Sequence, residues 1–117
     1  MTMIAKKFPT AALIDGEWVT SSKTFSVTDP ATGAEVAAVP NLGAEDAILA
    51  IDAAAKALPA WSAKTAKERA TILRRWFDLV TAETESLAQL MTTEQGKPLA
   101  ESRAEVGYGA SFIEWFA

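Results

Sequence analysis

The chain lacks two of the side-chain types most used in catalysis, and their absence limits the reactions that its residues can perform. Among its 117 residues there is no cysteine and no histidine. Thiolate catalysis, disulfides, imidazole acid–base chemistry and the usual zinc sites are therefore excluded within these residues. The reactive groups that remain are carboxylates, hydroxyls, lysines, arginines and one tyrosine, Tyr108. We predict no catalytic residue and no metal-binding residue in the chain.

Gly107-Tyr-Gly109 is the segment that most suggests a cofactor site. A dinucleotide-binding loop has glycines at its first, third and sixth positions and directly follows a strand. Here the sixth position is Phe112, and no strand is predicted before it. We therefore interpret the two glycines as small residues that let another helix approach closely. The sequence predicts no cofactor-binding residue.

Two other patterns have structural interpretations. Thr93-Glu-Gln-Gly-Lys97 lacks the spacing of a phosphate-binding loop, and we interpret it as a helix C-cap followed by a solvated lysine. The tryptophans are unevenly spaced, so packing in a core is the default expectation for them. They are Trp18, Trp61, Trp76 and Trp115.

Composition and charge exclude some classes of partner. Half of the residues are hydrophobic, so a core can form, but the net charge is −4 and the isoelectric point is about 4.8. Nucleic acids and anionic membranes attract basic patches, so we expect neither as a partner. No apolar stretch has the length of a signal peptide or a membrane span. The composition predicts a cytoplasmic protein.

The first third of the chain predicts two β-hairpins over residues 12–40, after a flexible N-terminus over 1–11. Asp15-Gly16 separates two predicted short strands, Ala12–Ile14 and Glu17–Val19, and this dipeptide favours the positive φ angles of a type I′ turn. A second pair of strands, Thr24–Thr28 and Glu35–Val39, flanks the turn sequence Asp29-Pro-Ala-Thr-Gly33. Pro40 is expected to end the last strand.

The remainder, residues 44–117, predicts about four helices. Glu45 and Asp46 suit the N-terminus of the first helix, which we expect to stop before Pro59. Its predicted buried stripe is Ile48, Ile51, Ala54, Ala55 and Leu58. Thr65-Ala-Lys-Glu68 is a capping box that opens the second helix. The side chains expected to face inward there are Ile72, Leu73, Trp76, Phe77 and Val80.

Two further helices follow. The third carries Leu87, Leu90 and Met91, with Gly96 as its C-terminal cap. Pro98 suits the first turn of the fourth helix. The apolar residues of that helix are Leu99, Val106, Ala110 and Ile113.

The last residues favour an incomplete domain. Phe112, Ile113 and Phe116 recur at helical spacing, and no glycine, asparagine or proline follows to stop the helix before Ala117. A helix that ended there would leave its last carbonyls uncapped beside exposed aromatic rings. We therefore expect residues 1–117 to be the N-terminal fragment of a longer protein.

Several short motifs occur in the order seen at the start of aldehyde dehydrogenases. They are Ile14-Asp-Gly-Glu-Trp18, Asp29-Pro-Ala-Thr-Gly33, Trp61, Arg69-Ala-Thr-Ile-Leu-Arg-Arg75, Glu94-Gln-Gly-Lys-Pro98 and Phe112-Ile-Glu-Trp-Phe116. The chain resembles this family from Leu13 to Ala117. The sequences of Glu94–Glu101 and Ser111–Ala117 are most similar to those of the bacterial succinate-semialdehyde dehydrogenase branch.

The resemblance implies an α/β parent fold and the NAD(P)-dependent oxidation of an aldehyde, here succinate semialdehyde, to an acid. In the family a cysteine thiolate attacks the carbonyl, hydride passes to the nicotinamide, and a glutamate activates water. An asparagine side chain and a backbone N–H hold the oxyanion. None of these residues maps onto this chain. The resemblance therefore implies NAD or NADP for the parent enzyme, and no activity or cofactor for the chain alone.

Three further implications of the resemblance concern this chain's own residues. Tyr108 would face the substrate tunnel, with Ala104 one turn earlier. A structural monovalent cation would involve Thr28 and Glu94, since hard oxygen ligands suit such an ion. The family assembles into multi-subunit proteins, which implies a homo-oligomer and an exposed strand edge between Leu13 and Val39 in isolation.

Two hypotheses on function remain. In the first, the chain packs against the remainder of its own polypeptide as part of an aldehyde dehydrogenase. In the second, it is a non-catalytic product that binds subunits or assists assembly. This hypothesis rests on Trp115 and Phe116, whose apolar rings at the end of the chain would be buried by contact with another protein.

Overall fold

A computed structural model describes residues 8–117, which form four strands followed by four helices. The strands are β1 (Ala12–Ile14), β2 (Glu17–Val19), β3 (Thr24–Thr28) and β4 (Glu35–Pro40). The helices are α1 (Ala44–Ser62), α2 (Ala66–Ala82), α3 (Thr84–Gln95) and α4 (Leu99–Trp115). The predicted order of two hairpins and four helices is confirmed. The expected flexibility of residues 1–11 concerns mostly residues 1–7, which lie outside the described part.

The first hairpin is built around its Asp-Gly turn. β1 pairs antiparallel with β2, and Leu13 lies opposite Trp18. Asp15 has a φ of 50° and Gly16 a φ of 83°. Positive φ at both central residues is the signature of a type I′ turn, whose twist matches that of the flanking strands. This prediction is confirmed.

The second hairpin depends on the carboxylate of Asp29. Its oxygens accept a hydrogen bond from the Ala31 N–H at 2.8 Å and one from the Thr32 hydroxyl at 3.0 Å. Gly33 then adopts a φ of 72° and directs the chain back into β4. Strand β4 continues to Pro40, one residue further than predicted, where Pro40 lies opposite Thr24.

The chain divides into two compact units. One contains the residues up to 28 together with 35–63, and Val36 is its most buried side chain. The other contains 29–34 and 64–117. The buried residues of this second unit are Ala88, Ser102, Val106 and Ala110.

Helix α1 differs from its prediction in two ways. It continues through Pro59 to Ser62, so the expected stop before Pro59 is wrong. A proline inside a helix removes one donor and crowds the carbonyl one turn earlier, but here the helix still closes one more turn, in which the Ala63 N–H donates to the Pro59 carbonyl at 3.1 Å. The expected burial of its stripe is also wrong, because Ile48, Ile51 and Leu58 are each more than half exposed.

Helix α2 begins at the predicted capping box. The Glu68 N–H donates to the Thr65 hydroxyl at 3.3 Å, and the Glu68 carboxylate accepts from the Thr65 N–H at 2.7 Å. The hydrogen bonds from Thr65 lower the pKa of Glu68. Further along, Leu73, Phe77 and Val80 are half-buried as expected. The inward prediction is wrong for Ile72 and Trp76, which lie on the solvent side of the helix.

Helices α3 and α4 pack against each other through small residues. Ser102, Val106 and Ala110 recur every four residues along α4 and are all buried, as is Ala88 on α3. The Ser102 and Thr92 hydroxyl oxygens lie 2.8 Å apart, which gives Ser102, the one buried polar side chain among residues 8–117, a hydrogen-bond partner. Gly96 caps α3 with a φ of 73°, as predicted. Pro98 is the N-cap of α4 and precedes its first turn.

Candidate functional site

Tyr108 lies on the part of α4 that faces away from α3. Its side chain is 67% exposed, and its ring meets that of Phe112 edge to face, with centroids 4.9 Å apart. Ala104, one turn earlier, is also exposed. The two rings form an aromatic patch that is open to solvent in the described structure. Such a patch can contact a ligand or another segment without rearrangement of the helix.

The glycines on either side of Tyr108 do not bring helices together. A Cβ atom built on Gly107 or Gly109 meets nothing within 4 Å. The expectation that these two residues allow close helix approach is therefore wrong for residues 8–117. That contact is made by Ser102, Val106 and Ala110, whose small or branched side chains are buried against α3. Both glycines lie inside α4, away from any strand-to-helix turn of the kind that binds dinucleotides.

An apolar groove runs between α2, α3 and α4, and we call it the helical groove. Its volume is about 380 Å³. Apolar side chains line most of it: Val80, Leu87, Leu90, Met91, Val106 and Ile113. Glu94 and Gln95 place polar groups at one end, and both are exposed. The helical groove was not predicted, because its walls come from three helices whose relative packing is not visible in the sequence.

Among residues 8–117, three ion pairs involve α4, and one of them joins Arg74 on α2 to Glu114 at 2.8 Å. Arg103 donates to both carboxylate oxygens of Glu85, from Nε at 2.8 Å and from Nη2 at 2.9 Å. These bonds, with one from Gln89, lower the pKa of Glu85 to about 2, and the same pairing raises the pKa of Arg103. Lys97 pairs with Glu105, and its side chain is only 24% exposed. The expectation of a solvated lysine after Gly96 is therefore wrong, because α4 supplies it with a carboxylate.

The tryptophans are mostly not in a core. Trp18, Trp76 and Trp115 are 56%, 55% and 83% exposed, and only Trp61 is half-buried. The expectation of core packing is wrong for the first three. Few large side chains are buried among residues 8–117. No other helix or strand in this part of the chain packs over these three rings.

The proposed cation ligands stay a prediction. Thr28 ends β3 in the first unit, and Glu94 lies in the last turn of α3 in the second. Among residues 8–117 no three aspartate or glutamate side chains come together as a metal-binding group.

None of the helices in residues 8–117 has the length and apolar composition of a membrane-spanning segment.

The motifs carried by these elements match a known family. The family model for aldehyde dehydrogenases covers residues 18–117. The chain belongs to the aldehyde dehydrogenase family. This confirms the resemblance and, with it, the α/β fold class of the family to which these hairpins and helices belong.

Curated relatives within the aldehyde dehydrogenase family are much longer than this chain. The NADP-dependent succinate-semialdehyde dehydrogenase of Escherichia coli is 56% identical over 112 residues, which are 94% of this chain and 23% of that protein. Glutarate-semialdehyde dehydrogenase of Pseudomonas putida is 55% identical over 97% of this chain and 24% of its own length. The chain thus spans about a quarter of these relatives.

Solved structures of enzymes contain the same backbone. An NADP-dependent enzyme of E. coli has a TM-score of 0.90 at 54% identity, over 95% of this chain and 24% of that one. Succinate-semialdehyde dehydrogenase from Burkholderia pseudomallei gives 0.88 at 55% identity, over 92% and 23%. Betaine aldehyde dehydrogenase from Staphylococcus aureus, solved with NAD+, gives 0.90 at 31% identity, over 97% and 24%. The strands and helices of residues 8–117 are therefore those of a larger enzyme fold.

Proposed function

We propose that this chain is the N-terminal quarter of an NAD(P)-dependent aldehyde dehydrogenase that oxidises succinate semialdehyde to succinate. The observation that carries the proposal is the 56% identity to the E. coli succinate-semialdehyde dehydrogenase over 94% of the chain. The chain has no cysteine, so the thiolate of the family reaction has to come from another part of the polypeptide. By itself the chain is inactive.

The relatives' names support a class of substrate as well. Besides succinate and glutarate semialdehyde, they include a 3-sulfolactaldehyde dehydrogenase of P. putida, 54% identical over 108 residues. Each of these aldehydes carries an acidic group at its other end. We propose a short, anionic aldehyde as the substrate class, with succinate semialdehyde as its first candidate.

In this proposal the residues of the chain support the fold and help to enclose the substrate tunnel. None of them takes part in the chemical reaction. The α3–α4 pair forms a rigid support through Ser102 and its hydrogen-bonded partner Thr92. Tyr108 would form part of the substrate tunnel wall, which its open aromatic patch supports. The strand-to-helix turn between β4 and α1 contains a single glycine, Gly43, and not the three spaced glycines of a dinucleotide-binding loop. NAD or NADP would therefore be bound by other segments of the parent protein.

A chimera tests the proposal. The corresponding N-terminal quarter of the E. coli relative is replaced in frame by this chain, and reduction of NADP with succinate semialdehyde is measured. We expect kcat/KM within about tenfold of the parent enzyme, because roughly half of the exchanged residues are identical. A folded, soluble chimera without activity would overturn the proposal. The 117-residue chain alone is the control, and it should produce no NADPH.

A second candidate function is binding to a subunit as a non-catalytic module. It is favoured by one observation, the exposure of Trp115 and Phe116 at 83% and 72%. Large exposed apolar surfaces commonly mark protein contacts. Co-purification of the unmodified chain with another protein at a fixed ratio, without any dehydrogenase of its own, would favour this candidate over the first.

A further inference from the structure

We propose that Gly107 and Gly109 weaken helix α4 around Tyr108, and that this weakness widens the range of aldehyde lengths that the enzyme accepts. The proposal rests on the proposed function and deepens it, because it names two specificity-determining residues beside the tunnel wall. Both glycines lie inside α4, which runs from Leu99 to Trp115. A glycine inside a helix is less favourable than an alanine, because it loses more backbone freedom when the helix forms.

Packing in the described part of the chain does not account for the two glycines. A Cβ atom at Gly107 or Gly109 meets nothing within 4 Å among residues 8–117, so an alanine would fit at both positions. Neither residue has a positive φ angle, so no left-handed conformation requires glycine there. Their main effect within residues 8–117 is therefore on the stability of the helix itself.

A third residue weakens the same part of α4. The Ser111 hydroxyl donates to the Tyr108 carbonyl at 2.7 Å, although the regular helix pattern uses that carbonyl for a backbone N–H. A side-chain hydroxyl bonded to the preceding turn competes with the backbone, and such bonds often bend helices. Glycine and serine close together are also a common cause of kinks. We call residues 107–111 the weakened turn, because these features lower the cost of its local opening.

The helix is held in place on both sides of the weakened turn. Before it, Arg103 is paired with Glu85 on α3 at 2.8 Å. After it, the Glu114 carboxylate accepts a hydrogen bond from Arg74 on α2 at 2.8 Å. Deformation of α4 is therefore concentrated in the weakened turn, which carries Tyr108.

A tunnel wall that can deform at Tyr108 suits aldehydes of more than one length. Two relatives at 56% and 55% identity are named for succinate semialdehyde and for glutarate semialdehyde, which is longer by one methylene group. A wall fixed at one distance discriminates between two such aldehydes, because a methylene group without room to fit costs binding. The weakened turn lets the Tyr108 ring move aside for the longer aldehyde, so a stiffer helix should reject it.

Hydrogen exchange measures the weakness of the turn directly. Exchange is followed in the full 117-residue chain and in the soluble chimera. Gly107→Ala and Gly109→Ala should each slow exchange of the amides of residues 108–113 by about fivefold, as the difference in helix propensity implies. Glu101→Ala is the matched control, because it adds an alanine at an exposed position in the first turn of α4. It should leave these amides unchanged.

The range of substrates is measured in the chimera with both aldehydes. In the double variant Gly107→Ala/Gly109→Ala, kcat/KM for glutarate semialdehyde should fall about fivefold or more relative to kcat/KM for succinate semialdehyde. The change should appear in KM, with kcat within about twofold, because the two glycines act on binding through Tyr108. Glu101→Ala should keep the ratio of the unmodified chimera.

The outcomes separate this proposal from the proposed function. Exchange that is unchanged in the glycine variants overturns the weakened turn, and so does faster exchange, which would show that another segment packs against the glycines. Slower exchange with an unchanged ratio of the two aldehydes overturns the role in substrate range. An inactive chimera overturns the proposed function and with it the role in substrate range, while exchange in the chain alone still supports or overturns the weakened turn.

Discussion

Gly96 is constrained by two independent features of its surroundings. Its φ of +73° lies in the region that disfavours side chains, and a Cβ atom there would lie 2.9 Å from Cγ of Pro30. Gly33 has nearly the same φ of +72°, but its Cβ position is open. Both residues belong to the second compact unit, so unfolding of that unit reports the effect of a substitution at either position.

These two glycines give the first prediction. Gly33→Ala should reduce the free energy of unfolding by about 1 kcal/mol, because only backbone strain is added. Gly96→Ala should cost about 2–3 kcal/mol, because overlap with the proline ring is added to the same strain. Urea denaturation of the two variants measures both values. Equal losses would show that the contact with Pro30 is not present in solution.

Tyr108 carries the second prediction at this scale. In the active chimera, Tyr108→Ala should raise KM for succinate semialdehyde several-fold, with a smaller change in kcat, because a wall residue contributes binding rather than chemistry. Tyr108→Phe keeps the ring and should leave KM within about twofold. If Tyr108→Ala has no effect on either constant, the residue is not part of the tunnel.

Single residues were predictable where local backbone geometry decided their role. The turn at Asp15-Gly16, the Thr65 cap and the Gly96 cap all follow from chemistry within a few positions of the chain. The partner of Lys97 was missed because Glu105 lies in the next helix, and sequence distance does not show how α4 is oriented. In the sequence this pair appears only as a lysine just after the Gly96 cap and a glutamate eight positions later. That spacing alone does not predict an ion pair.

At the scale of elements, the cap of α2 is the most direct test of how the helices begin. Thr65→Ala removes the hydroxyl that accepts from the Glu68 N–H and should cost about 1 kcal/mol. Thr71→Ala is the matched control, since its hydroxyl donates to the Lys67 carbonyl within the helix and caps nothing. Its effect should stay within about 0.5 kcal/mol. Hydrogen exchange of the first-turn amides of α2 should rise in the first variant only.

The α3–α4 contact should depend on pH through Glu85. Its pKa is lowered from 4.5 to about 2, mainly by the hydrogen bonds from Arg103. A lowered folded-state pKa means that the stabilisation is fully present above the unfolded value and is lost as the pH falls through the folded one. The difference in unfolding free energy between the wild type and Glu85→Gln should therefore be constant above about pH 5 and vanish towards about pH 2.

Thermal unfolding of the two proteins across this pH range measures that difference. Because both partners are about half exposed, the difference should be small and should shrink further in high salt. A difference that grows as the pH falls would contradict the assignment of the pair.

Element order and type were well predicted, and burial was not. The bounds of β1, β2 and β3 agree with the prediction, because turn residues and alternation define them locally. Helix α1 continues past Pro59 to Ser62, and the Ala63 N–H closes its last turn on the Pro59 carbonyl, a contact that a rule about proline alone does not predict. The stripes at Ile48–Leu58 and Ile72–Trp76 were assigned to a core that residues 8–117 do not contain.

At the scale of the whole molecule, the exposed surface and the relatives lead to the same conclusion. Large apolar side chains on α1, α2 and α4 are exposed, and the relatives that share this backbone are about four times as long. We account for both by proposing that this chain is one part of a dehydrogenase whose remaining parts cover these faces. Sequence patterns identified the family from short motifs in order, but the surfaces that this proposal places over the exposed faces lie outside residues 8–117.

The mass of the protein in its source cells tests this account most directly. An antibody raised against the chain is used to purify the native protein, and its intact mass is measured. The account predicts a polypeptide of about four times the 12.5 kDa of this chain, which copurifies with NAD(P)-dependent oxidation of succinate semialdehyde. A single product of 12.5 kDa without such activity would contradict it.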